Sequence, residues 1–121
     1  MMKVGQMTSW NSEKILDPGP LTEAFGSIDA DARKTLELFL TSTRPLLGAL
    51  QMKLLTGDLS GAAAAAHSAK GAANVTGAFR LGSLCAEICT LLRQGDGERA
   101  QALAIGLPDA FAEVQEAIRR L

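Results

Sequence analysis

Asp58-Leu59-Ser60-Gly61-Ala62-Ala63-Ala64-Ala65-Ala66-His67-Ser68-Ala69-Lys70-Gly71-Ala72-Ala73-Asn74-Val75-Thr76-Gly77 is the stretch on which the fold turns. Alanine has the highest helix propensity, so the segment predicts a helix from Asp58 to about Thr76, although one of weak amphipathicity. The polar residues therefore have to locate its faces. At about 100° per residue, Ser60, Lys70, Gly71, Asn74 and, if the helix reaches it, Ala78 fall within about 60° of His67. Ala62, Ala65, Ala69, Ala72, Ala73 and Thr76 lie on the opposite side. One face carries chemistry, and the other is a strip of methyl groups that lets neighbouring helices come close.

The flanking sequence supplies those neighbours. Upstream, Leu36, Phe39, Leu40, Thr43, Leu46, Leu47, Leu50 and Leu54 recur at three- and four-residue steps, predicting a long helix from about Asp29 to Leu55. Ser27, Asp29 and Asp31 are its candidate caps, and Thr56-Gly57-Asp58 is its stop. Pro45 interrupts it, with a kink the cheaper outcome and a full break the alternative. Downstream, Gly77 is placed to close the alanine-rich helix. The next segment puts Leu81, Leu84, Cys85, Ile88 and Leu92 on one face and Ser83, Glu87, Thr90, Arg93 and Gln94 on the other. After the turn Gly95-Asp96-Gly97, the segment Glu98 to Leu121 carries a stripe of Leu103, Leu107, Phe111, Val114, Ile118 and Leu121. Gly106 and Pro108 mark where it can divide, since proline fits at the start of a fresh helix.

The N-terminal part is different. Its first twenty residues lack a pattern and close on Pro18-Gly19-Pro20, which reads as a turn or linker, with the start of the tail poorly ordered. Leu21 to Phe25 makes one or two helical turns. No segment alternates with the period of a strand. The expectation is an all-α protein, an antiparallel up-and-down four-helix bundle with a short extra N-terminal helix, comprising a tail at 1–20 and a bundle domain at 21–121.

Composition removes whole classes of function. A chain of 121 residues encloses one core and leaves no room for a separate catalytic domain. Net charge is −1, and the aromatics are four phenylalanines and one tryptophan, so there is neither a basic footprint nor a stacking platform for nucleic acid. No apolar run approaches the roughly 18 residues of a membrane span, and no secretory signal precedes the domain, so the cytoplasm is expected. Cys85 and Cys89 share a helical surface but lack disulfide geometry along a regular helix, and they read as buried thiols. The single histidine rules out every site that needs two, and a cofactor- or metal-binding bundle is poorly supported.

His67 therefore works alone if it works. It sits opposite the alanine strip with Lys70 one turn on and Gly71 at i+4, where glycine costs about 1 kcal/mol relative to alanine. An exposed imidazole is largely neutral at cytoplasmic pH, and its free lone pair makes it a nucleophile. Lys70 can balance an anionic group arriving there, and Gly71 clears space for a large partner. The combination suits a phosphoryl group. With no glycine-rich phosphate loop and no Walker-type lysine, ATP is not the donor, so the phosphate must come from another protein.

The segment Ala66-His67-Ser68-Ala69-Lys70-Gly71, continuing to Gly77, matches every fixed place of A-H-x-x-K-G-x-x-x-x-x-G. In this the chain resembles the histidine-containing phosphotransfer (HPt) domains of multistep two-component phosphorelays. Leu36-Glu37-Leu38-Phe39-Leu40 with Pro45-Leu46-Leu47 looks like that family's long second helix, and Gly57-Asp58 and Gly95-Asp96 look like its helix-joining turns. The likeness covers roughly Ile15 to Leu121. The resemblance implies that His67 takes a phosphoryl group from the receiver domain of a hybrid histidine kinase and passes it to the receiver of a response regulator. Lys70 would compensate the phosphate's charge and Gly71 would give access. Ala63, Ala64, Asn74 and Ala78 would form the docking surface. No cofactor is implied in this chain, because the magnesium belongs to the partner receiver. Two places depart from the family's habit, Ala69 and Thr76, where bulky apolar residues are common and packing is at issue. The Glu and Pro of the kinase dimerisation motif are missing after His67, which points to a monomer. The alternative is a helical adaptor that binds receiver domains or a kinase without transferring phosphate.

Overall fold

The computed structural model describes residues 9–121. The expectation for the beginning of the tail falls on residues 1–8 and lies outside the described residues. After a 3-10 turn at Ser9–Ser12 come six α-helices. They are α1 (Gly19–Phe25), α2 (Ala30–Thr56), α3 (Leu59–Thr76), α4 (Phe79–Arg93), α5 (Gly97–Ala104) and α6 (Leu107–Arg119). No strand occurs among the described residues. The four-helix arrangement consists of α2, α3, α4 and the α5–α6 pair, with α1 as the short extra helix. The approach of Gly82 to Ala73 and the contact of Cys89 with Ala63 run in opposite directions along the two helices, so α3 and α4 are antiparallel, as their short connection requires.

Each boundary has a local cause. Asp29 wins the competition to cap α2, its carboxylate accepting from the Ala32 N–H at 3.1 Å. The helix then continues through Pro45 without a break. Pro45 is exposed, as is Thr41, whose carbonyl loses its partner to the proline. Gly57, at φ 81°, ends α2 by donating to the Lys53 and Leu54 carbonyls. Asp58 immediately caps α3 through the Gly61 N–H at 2.9 Å. This bond, reinforced by Lys53 at 3.4 Å, holds the Asp58 carboxyl below its ordinary value. Helix α1 starts earlier than the sequence suggests. It begins at Gly19 rather than Leu21, because Pro20 sits in the first turn, where a missing N–H costs nothing. The last segment divides at Gly106 and Pro108, and Pro108 opens α6 in the same way.

The core is built around α3. Ala62, Ala66, Ala69 and Ala73 are wholly buried, and Ala65 nearly so, against α2 on one side and α4 on the other. Leu36, Leu50, Leu81, Leu84 and Ile88 supply the volume that the alanines lack. Ala69 and Thr76, the two departures from the bulky pattern, both point inward. Thr76 remains satisfied there, its hydroxyl donating to the Ala72 and Ala73 carbonyls at 3.1 and 3.0 Å. Helix α4 approaches closely at Gly82, where an added Cβ would lie 3.4 Å from the Ala73 methyl and would overlap the Asn74 side-chain oxygen.

Residues 10–20, which the sequence places in the tail, lie along the α3–α4 junction. The Asp17 N–H donates to the Gly77 carbonyl at 2.8 Å, and the Arg80 N–H donates to the Lys14 carbonyl at 2.8 Å. The Trp10 N–H reaches the Glu87 carboxylate at 3.1 Å. Helix α4 has no side-chain cap, so the Lys14 carbonyl takes that place. Gly77 is required twice over. Its φ is 91°, and a Cβ there would collide with the Asp17 carbonyl oxygen.

Candidate functional site

Helix α3 has two ends held by side-chain and glycine caps and a middle held by buried methyl groups, so its outer face is presented on a rigid element. Its exposed surface carries Ser60, Ala64, His67, Ser68, Gly71, Asn74 and Val75, while Ala63 and Lys70 are half-buried at its margin. The imidazole of His67 and the ammonium of Lys70 make no hydrogen bond or ion pair among the described residues. A lysine three residues along a helix stands on the adjoining turn, close enough to meet an anion bound at the ring. Nothing lies within 4 Å of a Cβ built on Gly71. Glycine there answers neither a packing conflict nor a left-handed backbone, and a longer side chain would project beside His67 into solvent.

His67 also borders a groove of about 600 Å3 between α3 and the end of α4. The α3 side contributes Ser60, Ala63, Ala64 and Ser68, and the α4 side contributes Leu92 and Arg93. Its lining combines apolar side chains with two hydroxyls, the imidazole and one guanidinium; among the described residues no carboxylate lines it. The arrangement offers a nucleophilic nitrogen on a firm support, a positive environment, and side chains small enough for a broad partner to come close.

The structure thus brings together His67, Lys70, Gly71, Ala63, Ala64 and Asn74 on one surface. Ala78 is the exception and is corrected here. The helix ends at Thr76 and Gly77 reverses the chain, so Ala78 is fully buried and cannot touch a docking partner. Leu59 and Arg93, which also line the His67 groove, by contrast escape a reading of single helices. Periodicity assigns Arg93 to the solvent face of its own helix, which is correct, but only packing reveals that this face adjoins His67. No sequence signal marks it beyond its position at the helix end.

The remaining nucleophiles are out of play. Both cysteines are free and buried. Burial first, and Cys89 beside it second, push the Cys85 thiol up to about 12, while the Cys89 thiol donates to the Ala63 carbonyl at 3.6 Å. Among the described residues no group of three His, Cys, Asp or Glu side chains is placed to hold a metal ion, and no helix is long and apolar enough to cross a membrane.

Comparison with known proteins bears on the same residues. No curated protein and no solved structure matches the chain. The family model described as Hpt domain, however, matches residues 34–117, which span most of α2 through nearly all of α6 and include the whole His67 surface. With that match laid over a helical bundle whose one histidine stands exposed beside a lysine and an open glycine, the chain belongs to the Hpt domain family, the histidine phosphotransfer carriers of phosphorelays.

Proposed function

We propose that this protein accepts a phosphoryl group on His67 from the aspartyl phosphate of one receiver domain and delivers it to the aspartate of another. The observation that carries the reading is the exposed His67 with Lys70 one turn on and empty space at Gly71. In the forward step the imidazole lone pair attacks phosphorus, a nitrogen–phosphorus bond forms, and the phosphorus–oxygen bond to the donor aspartate breaks, leaving a free carboxylate. The return step reverses these events on the acceptor. Lys70 lowers the cost of bringing a dianionic phosphoryl group to the ring, and Gly71 admits the partner. Ala63, Ala64 and Asn74 form the contact surface around the reacting nitrogen. Magnesium and the acidic pocket come from the receivers, and this chain contributes position and charge, which dominate phosphoryl transfer. It acts as a monomeric carrier in the cytoplasm, between the receiver of a hybrid kinase and that of a response regulator, without an ATP site of its own.

The test is incubation with a phosphorylated receiver domain. The wild type is expected to gain acid-labile, base-stable phosphate, and His67→Gln is expected to gain none while keeping its unfolding midpoint and its affinity for the receiver. Equal labelling of both proteins would overturn the assignment. Receiver binding with no labelling of the wild type would favour the adaptor, a carrier fold without the chemistry.

A further inference from the structure

The side of the bundle away from His67 carries a surface of its own. Helix α3 packs between α2 and α4, and α6 packs against the same two helices, so the α2–α6 groove lies opposite the α3–α4 groove that His67 borders. Along α2, Leu38, Thr41, Pro45, Gly48, Met52 and Leu55 follow one another at alternating steps of three and four, and all six are exposed. At about 100° per residue they share one stripe about 100° wide, the spacing with which one helix packs along another. Its large side chains are bare: Leu38 and Met52 are 60% exposed and Leu55 is 77% exposed. Nothing lies within 4 Å of a Cβ built on Gly48, so the middle of the stripe is open to close approach. A single exposed leucine needs no explanation, but an uncharged row about 25 Å long marks a contact surface.

The charges beside the row have one sign. From Leu38 to Thr56 the sequence contains no Asp or Glu, and its only charged residues are Arg44 and Lys53. Lys53 is neutralised by Asp58 at 3.4 Å. Arg44 joins Arg33 and Arg119 in lining a groove of about 580 Å3 between α2 and α6, where Glu37 is the one carboxylate among the described residues. Arg119 pairs with Glu116 at 3.6 Å and Arg33 donates to the Leu121 carbonyl. Arg44 instead lies 5.3 Å over the Phe111 ring, a contact that satisfies none of its N–H donors, and it has no acceptor among the described residues. Thr41 and Pro45 belong to both the row and the groove, so apolar stripe and cationic flank form one surface.

Charge selects the occupant. In an antiparallel pairing of two copies of α2 the cationic flank would face itself, and in a parallel pairing it would face the uncharged flank of Ser42, Ala49 and Thr56. A small anion would leave the apolar row bare. We propose that this face of α2, with its groove against α6, is a second docking surface that takes an acidic amphipathic helix of a partner protein. Apolar side chains of that helix, at three- and four-residue steps, cover Leu38, Met52 and Leu55, and a carboxylate on its flank meets Arg44. The surface goes beyond phosphoryl transfer and does not depend on it: a partner held there leaves the His67 face open to a receiver.

The experiment uses the full chain and two fluorescent peptides of three heptads, one with leucine at the apolar steps and glutamate on both flanks, the other with lysine in place of glutamate. Fluorescence anisotropy should show saturable binding of the acidic peptide, about tenfold or more tighter than the lysine peptide and weakening as salt rises. Met52→Glu and Arg44→Glu, both at exposed positions, should each weaken it about tenfold with the helical fold intact by circular dichroism, and Arg93→Ala, on the opposite face, should bind as the wild type does. Equal affinity for the two peptides, or wild-type affinity in both Met52→Glu and Arg44→Glu, would overturn the proposal. So would a wild type that sediments as a dimer and is made monomeric by Met52→Glu, which would give the face to a second copy.

Discussion

The two faces of α3 are both made of small residues, for opposite reasons. On the inner face Ala62, Ala66, Ala69 and Ala73 are small because α2 and α4 already occupy the space, and no room is left beside them. On the outer face Ala64 and Gly71 are small while facing solvent, and a Cβ added at Gly71 would have no neighbour within 4 Å. The same residue types thus record a completed contact on one side and a contact still to be made on the other. An exposed glycine in a helix interior is a stability cost with no return inside the molecule, and at Gly71 it leaves the approach to the neighbouring His67 clear.

Enlarging each face in turn separates the two reasons. On the inner face Ala73→Leu should destabilise the fold by about 2 kcal/mol or more, because the added methylenes meet Gly82 and the α4 backbone with no cavity to enter; urea unfolding would measure it. On the outer face Gly71→Gln should change stability in the other direction, raising it by about 0.5 kcal/mol through helix propensity, while slowing transfer from a phosphorylated receiver several-fold. A variant that is more stable and slower would sharpen the comparison, and an unchanged transfer rate would break it.

The smallest effect concerns the support beneath both faces. The Asp58 carboxyl titrates below its unfolded value of 3.8, so its capping contribution is fully present above that pH and is lost as pH falls through the lower folded value. Asp58→Asn, which keeps an acceptor without the charge, should flatten the loss of stability in that acid range and leave the neutral range nearly unchanged. Thermal unfolding followed between about pH 2 and 5 would show it.

Much of this is legible in the order of the residues. The spacing of Leu81, Leu84, Cys85, Ile88 and Leu92 names a buried stripe, and all five are buried. Asp58 and Gly77 bracket α3 because capping is a matter of a few adjacent residues. His67, Lys70 and Gly71 share a surface because three- and four-residue steps on a helix do so whatever surrounds it. What the pattern misses depends on a second element. Ala78 falls on the His67 face only while the helix is extended past Gly77, and the chain turns inward there instead. Residues 10–20 lack periodicity, so their pattern holds no trace of the hydrogen bonds from Asp17 to Gly77 and from Arg80 to Lys14.

The sequence by itself therefore determined the helices, their caps and the presence of one histidine with a lysine and a glycine at helical spacing, because each of these is set by interactions within a few residues. Tertiary structure alone decided that Arg93 borders the same groove as His67, that Ala78 is interior, and that the Asp17 carbonyl forbids any side chain at Gly77. Those outcomes rest on the register between helices, and register is fixed by how whole surfaces of side chains fit together rather than by any local run of residues.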